Sequence, residues 1–430
     1  MVEQSRKAQL VRDESAVTAD RAEQPLPPDT PVTSLVGNTV SALATFQSST
    51  DHVVSQGFSG SISFGILSTF PPTPCGLATF SAALARGLIA HGDHVCVVQV
   101  SDGSPSSSAR VIGELVNGSA ASVAACSDLL NRSDIAVIQH DYEIYGGIDG
   151  DEVIGIMDGL RVPSIVIAHT VLKNPSRHQR SVFEAVAARA DKLVVMSDVA
   201  NERLCRGFDI DRRKVSTIPH GATVPTDSCV RGGRPTLLTW GLLRPGMGVE
   251  RVIEAMGSLS RLPGRPRYVV AGQTHPKVLA AEGEAYRDAL LEQARSSGVL
   301  DSVRFDSGYR NVATLTALVQ SAAVVVVPYD STDQVVSGVL VDAVACGRPV
   351  VATAFPHAVE LLSNGAGIVV AHDDLDALVS ALTRVLTEPR LAGSMAAEAR
   401  RLASEMSWPV IAGAYQALAR RVLAPRQARV

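Results

Sequence analysis

The chain has little of what marks secreted, disulfide-linked or redox proteins. Its six cysteines form no C-x-x-C pair and are spread along the sequence, at positions 75, 96, 126, 205, 229 and 346. Cys96 and Cys346 lie within apolar runs, which favours buried, reduced thiols over a disulfide framework. A small disulfide scaffold and a thioredoxin-like redox site are therefore disfavoured.

Long apolar segments and a strong excess of either charge are also missing. No segment reaches the ~18 apolar residues of a membrane span, and the start, MVEQSRKAQLVRDES, has no apolar core of a signal peptide. We therefore expect a cytoplasmic protein. A net charge of -4 gives no reason to expect a nucleic-acid partner. The mildly basic end, RRVLAPRQARV, is typical of a solvated terminus and gives no support for a strong membrane anchor.

Two common nucleotide-binding motifs are absent as well. No strand-to-helix turn carries G-x-G-x-x-G, and no G-x-x-x-x-G-K-[ST] segment occurs. A plain dehydrogenase and a P-loop NTPase are therefore disfavoured.

What the chain does have is an alternation of short apolar strands with helical segments. The 430 residues, of which 46% are hydrophobic and 19% charged, suggest roughly two globular domains. Residues 1–60 are rich in Ser, Thr, Pro, Asp and Gln and predict a disordered tail whose role is not readable. The strand candidates are ISFGIL, HVCVVQV, DIAVIQH, SIVIAH and KLVVMS in the first half and TLLTWG, RYVVAG, SVRFDSG, AAVVVVPY, RPVVAT and GIVV in the second.

This alternation predicts an α/β protein with two Rossmann-like, doubly wound parallel sheets. We expect a first domain over 61–228 and a second domain over 229–405. An amphipathic helix within 406–430 is a candidate to pack back on the first domain. Ligands of such sheets bind beyond the carboxyl ends of the strands, so the cleft between the two domains is the expected site.

The most informative segment runs from Ala322 to Thr353. An apolar strand ends at Pro328 and Tyr329, and after a polar loop Ser337 and Gly338 open a helix that carries Asp342. Backbone N–H groups at a helix start form a natural anion site. A carboxylate one turn further on can bind a sugar hydroxyl beside that anion, so the segment predicts a phosphate-and-ribose site.

Together with other segments, this one resembles the retaining glycosyltransferases of family 4, which have the two-domain GT-B fold. The matching segments, in order, are FPPTPCGLATF, QHDYEIYGGIDG with VPSIVIAHTVL, IPHG, GLLRPGMGVERVIEAM and SGVLVDAVACGRPVVAT. They extend from about Ile62 to Tyr415, and the resemblance makes 61–228 the acceptor-side domain and 229–405 the domain that binds the nucleotide-sugar donor. The resemblance implies transfer of a hexose from a UDP- or GDP-linked sugar to a small-molecule, glycan or lipid-linked acceptor. It also implies retention at the anomeric carbon and no metal or other cofactor.

The resemblance assigns roles residue by residue. Donor-binding residues would be Gly76, Arg244, Gly248, Gly272, Ser337, Gly338, Val339 and Asp342, with base contacts from the loops near Gly272 and residues 305–309. The transferred sugar would be oriented by His169, Gln334 and Asp333. His140, Asp141 and Tyr142 would form the acceptor wall. Simpler interpretations stay open: a tight turn at Gly76, a structural histidine at 169, and a solvated loop pair at 333 and 334.

The sequence also departs from the family pattern. Gln334 stands where the family has the first of two carboxylates, and an amide cannot stabilise a developing positive charge as a carboxylate can. Leu242 and Met247 stand where the family supplies an Arg and a Lys to the diphosphate, and Arg244 is the nearby replacement. A catalytically weak or inactive module that binds a nucleotide sugar or a protein is therefore the alternative. An epimerase or sugar phosphorylase on the same architecture is a third and weaker interpretation.

Overall fold

The fold is described from a computed structural model, and the described residues are 60–103, 106–226, 233–308 and 310–427. The predicted tail therefore lies outside the described residues except for Gly60, and so do Cys229 and Tyr309. The remaining cysteines are free thiols. Cys96 and Cys346 are half-buried, and burial raises the pKa of Cys126 and of Cys346 to about 12.

The first sheet has seven parallel strands in the order β3-β2-β1-β4-β5-β6-β7. Its strands are β1 (Ser63–Ser68), β2 (His94–Val100), β3 (Val111–Leu115), β4 (Ile135–His140), β5 (Ser164–Ala168), β6 (Lys192–Val195) and β7 (Val215–Thr217). Its helices are α1 (Gly76–Ala90), α2 (Ala120–Leu130), α3 (Glu152–Asp158), α4 (Arg177–Arg189) and α5 (Asp198–Gly207). We call this sheet with its helices the first domain.

The second sheet has six parallel strands in the order β10-β9-β8-β11-β12-β13. Its strands are β8 (Thr236–Trp240), β9 (Arg267–Ala271), β10 (Val303–Asp306), β11 (Val324–Val327), β12 (Val350–Thr353) and β13 (Gly367–Val370). Its helices are α6 (Val249–Leu259), α7 (Pro276–Glu282), α8 (Ala285–Ser296), α9 (Val312–Ser321), α10 (Gly338–Ala345), α11 (Pro356–Leu362), α12 (Leu375–Thr387) and α13 (Pro389–Met406). We call this sheet with its helices the second domain.

Two parallel, doubly wound sheets are what the alternation predicted, and the predicted fold class is confirmed. Central strands such as β11 are buried along their whole length, because helices cover both faces of a parallel sheet. Each fully buried valine of β11 contributes roughly 1.5–3 kcal/mol to stability. The predicted break between 228 and 229 falls in the stretch 227–232, outside the described residues, so the exact domain boundaries stay a prediction.

The last helix, α14 (Trp408–Gln427), lies against α1 of the first domain. Its apolar side chains join the core formed by β1, β4, β5 and α1. The contact is close, since a Cβ on Gly87 would lie 2.6 Å from the Cβ of Ala412. The buried amide of Gln416 also donates to Asp93 at 2.8 Å. The chain therefore returns to its first domain after completing the second.

Several polar contacts join the two domains on the side where the strands end. Glu360 of α11 accepts hydrogen bonds from the backbone N–H groups of Asp198 (3.0 Å) and Val199 (2.9 Å) at the start of α5. The Ser197 hydroxyl donates to the Val335 carbonyl at 2.6 Å. Lys277 and Glu143 form an exposed ion pair at 2.6 Å. The carboxyl ends of the two sheets are therefore in contact through named side chains in this structure.

Candidate functional site

The start of α10 leaves two backbone N–H groups free. Ser337 is its N-cap and accepts from the N–H of Leu340 at 3.2 Å, while its own N–H donates to Nδ1 of the buried His357 at 2.9 Å. The N–H groups of Gly338 and Val339 find no acceptor among the described residues. The eight-residue helix adds its dipole at this point. The arrangement is therefore ready for an anion at Gly338 and Val339.

Asp342 lies one turn inside the same helix and is half-buried. Its carboxylate has no hydrogen-bond or ion-pair partner in the described part of the chain. Burial raises the pKa of Asp342 to about 7, because removal from water disfavours the charged form. An unpartnered acceptor of this kind has the chemistry needed to bind sugar hydroxyl groups.

The start of α1 has a similar arrangement in the first domain. Cys75 is the N-cap, and its thiol accepts from the N–H of Ala78 at 3.4 Å. The N–H groups of Gly76 and Leu77 have no acceptor within the described residues. A Cβ built on Gly76 would meet no atom within 4 Å, so open space lies beside this helix start.

The loop from Leu242 to Gly248 holds Arg244 and the two positions that lack the family's cations. Arg244 is exposed and near enough to Tyr329 to lower the pKa of that phenol, although burial dominates and raises it to about 12. Met247 is 6% exposed and belongs to the core of the second domain. The structure therefore places an apolar group in the core at the position where the family has a lysine.

Gly248 and Gly272 have structural reasons to be glycine. Gly248 has a φ of 67°, and a Cβ there would lie 1.8 Å from the carbonyl oxygen of Pro328. Gly272 has a φ of 139°, and a Cβ there would lie 1.9 Å from the carbonyl oxygen of Gly241. Both glycines let loops approach each other at the carboxyl ends of β8, β9 and β11. Contact with a donor stays a prediction for these two residues.

His169 follows β5 and is held from two sides. Its Nε2 lies 2.5 Å from Oε1 of Gln139, a residue that is 0% exposed, and the ring of Phe80 stands edge-on at 5.0 Å. Since the amide oxygen only accepts, Nε2 carries the proton and Nδ1 keeps its lone pair. Burial lowers the pKa of His169 to about 3, with smaller effects from His220 and His140. The ring is therefore a neutral, oriented hydrogen-bonding group.

The loop with Asp333 and Gln334 docks on the first domain. Arg203 donates to the carbonyl of Asp333 at 2.5 Å, and Lys173 lies 3.6 Å from the carboxylate of Asp333. The side-chain amide of Gln334 donates to the carbonyl of Val336 at 2.9 Å. Both predicted sugar-orienting side chains therefore have protein partners here, and their role toward a sugar stays a prediction.

The predicted acceptor wall is more buried than expected. His140 is 1% exposed, its ring lies edge-on to Tyr142 and Phe183, and burial lowers its pKa to about 4. Tyr142 is buried too, whereas the half-buried Asp141 accepts a hydrogen bond from the Thr170 hydroxyl at 2.7 Å. Both side chains are packed within the first domain, so little of either is open to a ligand in this structure, and an acceptor role for these residues stays a prediction.

Sequence reasoning missed other polar residues of this region, namely Gln139, His220, His357 and Glu360. Their partners are distant along the chain, so no local motif marks them. The segment IPHG, which contains His220, was the one available signal, and it concerns His220 alone.

Comparisons with known proteins identify the family and support the fold. The family model described as "Glycosyl transferases group 1" matches residues 227–402, and the one described as "Glycosyltransferase Family 4" matches residues 74–224. The chain belongs to these glycosyltransferases. Together the two models cover most of the described chain, and they make this protein a member of a transferase family, as the sequence resemblance predicted.

A curated relative from Actinosynnema mirum is named D-inositol 3-phosphate glycosyltransferase. It is 30% identical over 272 residues, which cover 57% of this chain and 64% of the relative. The match thus spans less than two thirds of that relative's length.

Solved glycosyltransferases share the fold at lower identity. Sucrose-phosphate synthase from Thermosynechococcus elongatus aligns with a TM-score of 0.67 and 18% identity, covering 85% of this chain and 100% of that one. Anabaena HepE in complex with UDP aligns with a TM-score of 0.65 and 16% identity, covering 83% of this chain and 99% of that one. These likenesses establish the GT-B fold. None of the described helices is long and apolar enough to cross a membrane.

Proposed function

We propose that this protein transfers a hexose from a UDP- or GDP-linked sugar to a small-molecule, glycan or lipid-linked acceptor, with retention at the anomeric carbon. The observation that carries the proposal is the start of α10, where the free N–H groups of Gly338 and Val339 lie one turn before the unpartnered carboxylate of Asp342. This pairing suits a diphosphate followed by a ribose. HepE was solved with UDP and also with UDP-glucose, which supports the donor class.

In the proposed reaction the bond between the anomeric carbon and the diphosphate oxygen breaks. The acceptor oxygen bonds to that carbon on the same face, and the acceptor proton passes to the departing diphosphate. The free N–H groups at Gly76 and Gly338, with Arg244, would stabilise the growing negative charge. His169, held by Gln139, would orient the sugar hydroxyls as a neutral group. The absence of a metal requirement and the cytoplasmic location stay predictions.

The name of the curated relatives suggests an acceptor to test first. A phosphorylated cyclitol such as inositol 3-phosphate is a small molecule, which is one of the acceptor classes that the sequence resemblance implies. Purified protein would be screened with UDP- and GDP-hexoses for thermal stabilisation, then for slow donor hydrolysis, and then for transfer to inositol 3-phosphate. Proton NMR of the product anomeric signal would report retention. If none of the donors stabilises the protein against heat, the proposal is overturned.

A catalytically weak or inactive nucleotide-sugar-binding module is the second candidate. The buried position of Met247 favours it, because no lysine is available there for the diphosphate. Donor stabilisation without hydrolysis or transfer to any tested acceptor would support this candidate. If the missing cation limits the rate, Met247→Lys should raise the rate of donor hydrolysis several-fold. An unchanged rate in a folded variant would count against that explanation.

A further inference from the structure

His220 belongs to the first domain but lies against the start of α10 in the second. It follows β7 in the segment IPHG, and its ring packs edge-on to Phe80 at 5.1 Å and near Trp408 at 6.2 Å between ring centroids. These two aromatic neighbours restrict the orientation of the ring. One edge of His220 is therefore directed toward α10.

The hydrogen bonds of His220 define which nitrogen faces that helix. Nδ1 lies 2.8 Å from the carbonyl oxygen of Gly221 and must donate to it, because a carbonyl only accepts. In the neutral ring Nε2 then carries the lone pair. Nε2 has no hydrogen-bond partner among the described residues, and it lies 3.2 Å from the position of a Cβ on Gly338. The absence of a side chain at Gly338 thus leaves room for this nitrogen beside the free N–H groups.

We propose that His220 is a diphosphate-binding residue supplied by the first domain, and that its protonated ring takes the place of the cation missing at Met247. The inference rests on the proposed function, since it assigns a ligand contact within the same donor site. A bound diphosphate would take up a proton at Nε2 and accept a charge-assisted hydrogen bond from it. Because His220 and Gly338 belong to different domains, the contact would also link donor binding to closure of the cleft.

The titratable groups around His220 are consistent with a ring that is neutral without a ligand and protonated when an anion is bound. Burial lowers the pKa of His220 to about 4, and the two nearby histidines, His169 and His357, have pKa values lowered to about 3 by the same cause. From α10 the group that titrates near neutrality is Asp342. Phe80 of α1 and Trp408 of α14 contribute no charge. A diphosphate at the start of α10 would raise the pKa of His220, because a nearby opposite charge favours the protonated ring.

The test is isothermal calorimetry of UDP and GDP binding at pH 7 in two buffers that differ in ionisation enthalpy. The difference between the two measured binding enthalpies gives the number of protons taken up. Each variant is made in the wild-type protein, where affinity is compared, and again with Asp342→Asn, which separates proton uptake at Asp342 from proton uptake at His220. His220→Asn keeps an amide donor for Gly221 but removes the group at Nε2. His220→Gln places a neutral amide near Nε2. His94→Gln, at the exposed start of β2, is the matched control.

We expect His220→Asn to weaken nucleotide binding about tenfold, as for loss of a charged hydrogen bond, and to abolish proton uptake. His220→Gln should bind the nucleotide with intermediate affinity and without proton uptake. The double variant His220→Asn with Met247→Lys should regain nucleotide affinity, again without proton uptake. If the His220 variants bind the nucleotide with the same affinity and the same proton uptake as the protein that keeps His220, this inference is overturned and the proposed function is not. Failure of UDP and GDP to bind the wild-type protein would overturn the proposed function with it.

Discussion

The two helix starts at the candidate site are alike in backbone and different in side chains. In α1 the cap is the thiol of Cys75, and the space beside Gly76 is open. In α10 the cap is Ser337, supported by His357; His220 lies beside Gly338, and Asp342 lies one turn further along the helix. The comparison teaches that α10 carries polar side chains at and near its start, whereas the start of α1 offers bare backbone. Substitutions at the two helix starts should therefore differ in their effects on nucleotide binding and on the reaction rate.

The largest effect should come from Asp342. Asp342→Asn removes a charged acceptor from α10 while keeping its size, and two hydrogen bonds to ribose hydroxyls would be weakened. We expect nucleotide affinity to fall about 100-fold, measured by calorimetry with UDP and GDP. Asp288→Asn, an exposed carboxyl on α8, is the control. Unchanged affinity in the Asp342 variant would remove the ribose role from this residue.

The next effect should come from Gly76, where a methyl group tests the bare backbone of α1. The methyl group added by Gly76→Ala would have no protein atom within 4 Å, so the fold should tolerate the substitution. We expect donor hydrolysis or transfer to fall about 30-fold, because the methyl group would stand where the diphosphate approaches the N–H groups. Gly393→Ala, at an equally open position in α13, should leave the rate unchanged. A Gly76 variant with full activity would mean that α1 does not contact the donor.

A smaller effect is expected from the contact between Glu360 of the second domain and α5 of the first. Glu360→Ala removes the acceptor for two N–H groups at the start of α5. The closed arrangement should be less populated, and the turnover number should fall about tenfold. Steady-state kinetics and small-angle scattering would report the rate and the change in shape. Glu254→Ala, exposed on α6, is the control, and equal scattering and turnover for both variants would contradict the closure role.

The last prediction concerns stability and not function: the fold is less stable because the carboxyl group of Asp342 is buried. Its pKa of about 7 is raised by burial, so between pH 4 and pH 7 the folded state binds more protons than the unfolded state. Stability contributed at this residue therefore falls as pH rises through that window. We expect Asp342→Asn to raise the free energy of unfolding by up to about 4 kcal/mol at pH 8 and by less at pH 5. Urea unfolding at both pH values would measure this, and a gain that is larger at pH 5 would refute it.

Much of the fold was predictable because the central strands are continuous apolar runs. The predicted HVCVVQV and GIVV coincide with β2 and β13. The prediction missed β3, an edge strand that alternates exposed and half-buried residues, and β7, which has three residues. Neither strand carries the continuous apolar run that marks a buried parallel strand.

The candidate site was predictable in part, for physical reasons that differ between residues. Ser337, Gly338 and Asp342 share one helix start, so their proximity follows from local sequence. The approach of His220 to Gly338 depends on how two domains meet, and the sequence has no local sign of it. The burial of His140 depends on Phe183 of α4, another element distant along the chain.

The return of α14 to the first domain has a consequence for biosynthesis. Residues 408–427 cover α1 and contribute Ile411 and Tyr415 to the core around β1. As the polypeptide leaves the ribosome, the amino-terminal sheet is made early, but its apolar surface over α1 stays open until these late residues are released. The second sheet can assemble from a contiguous stretch in the meantime. The first domain to be translated is therefore the last to be completed.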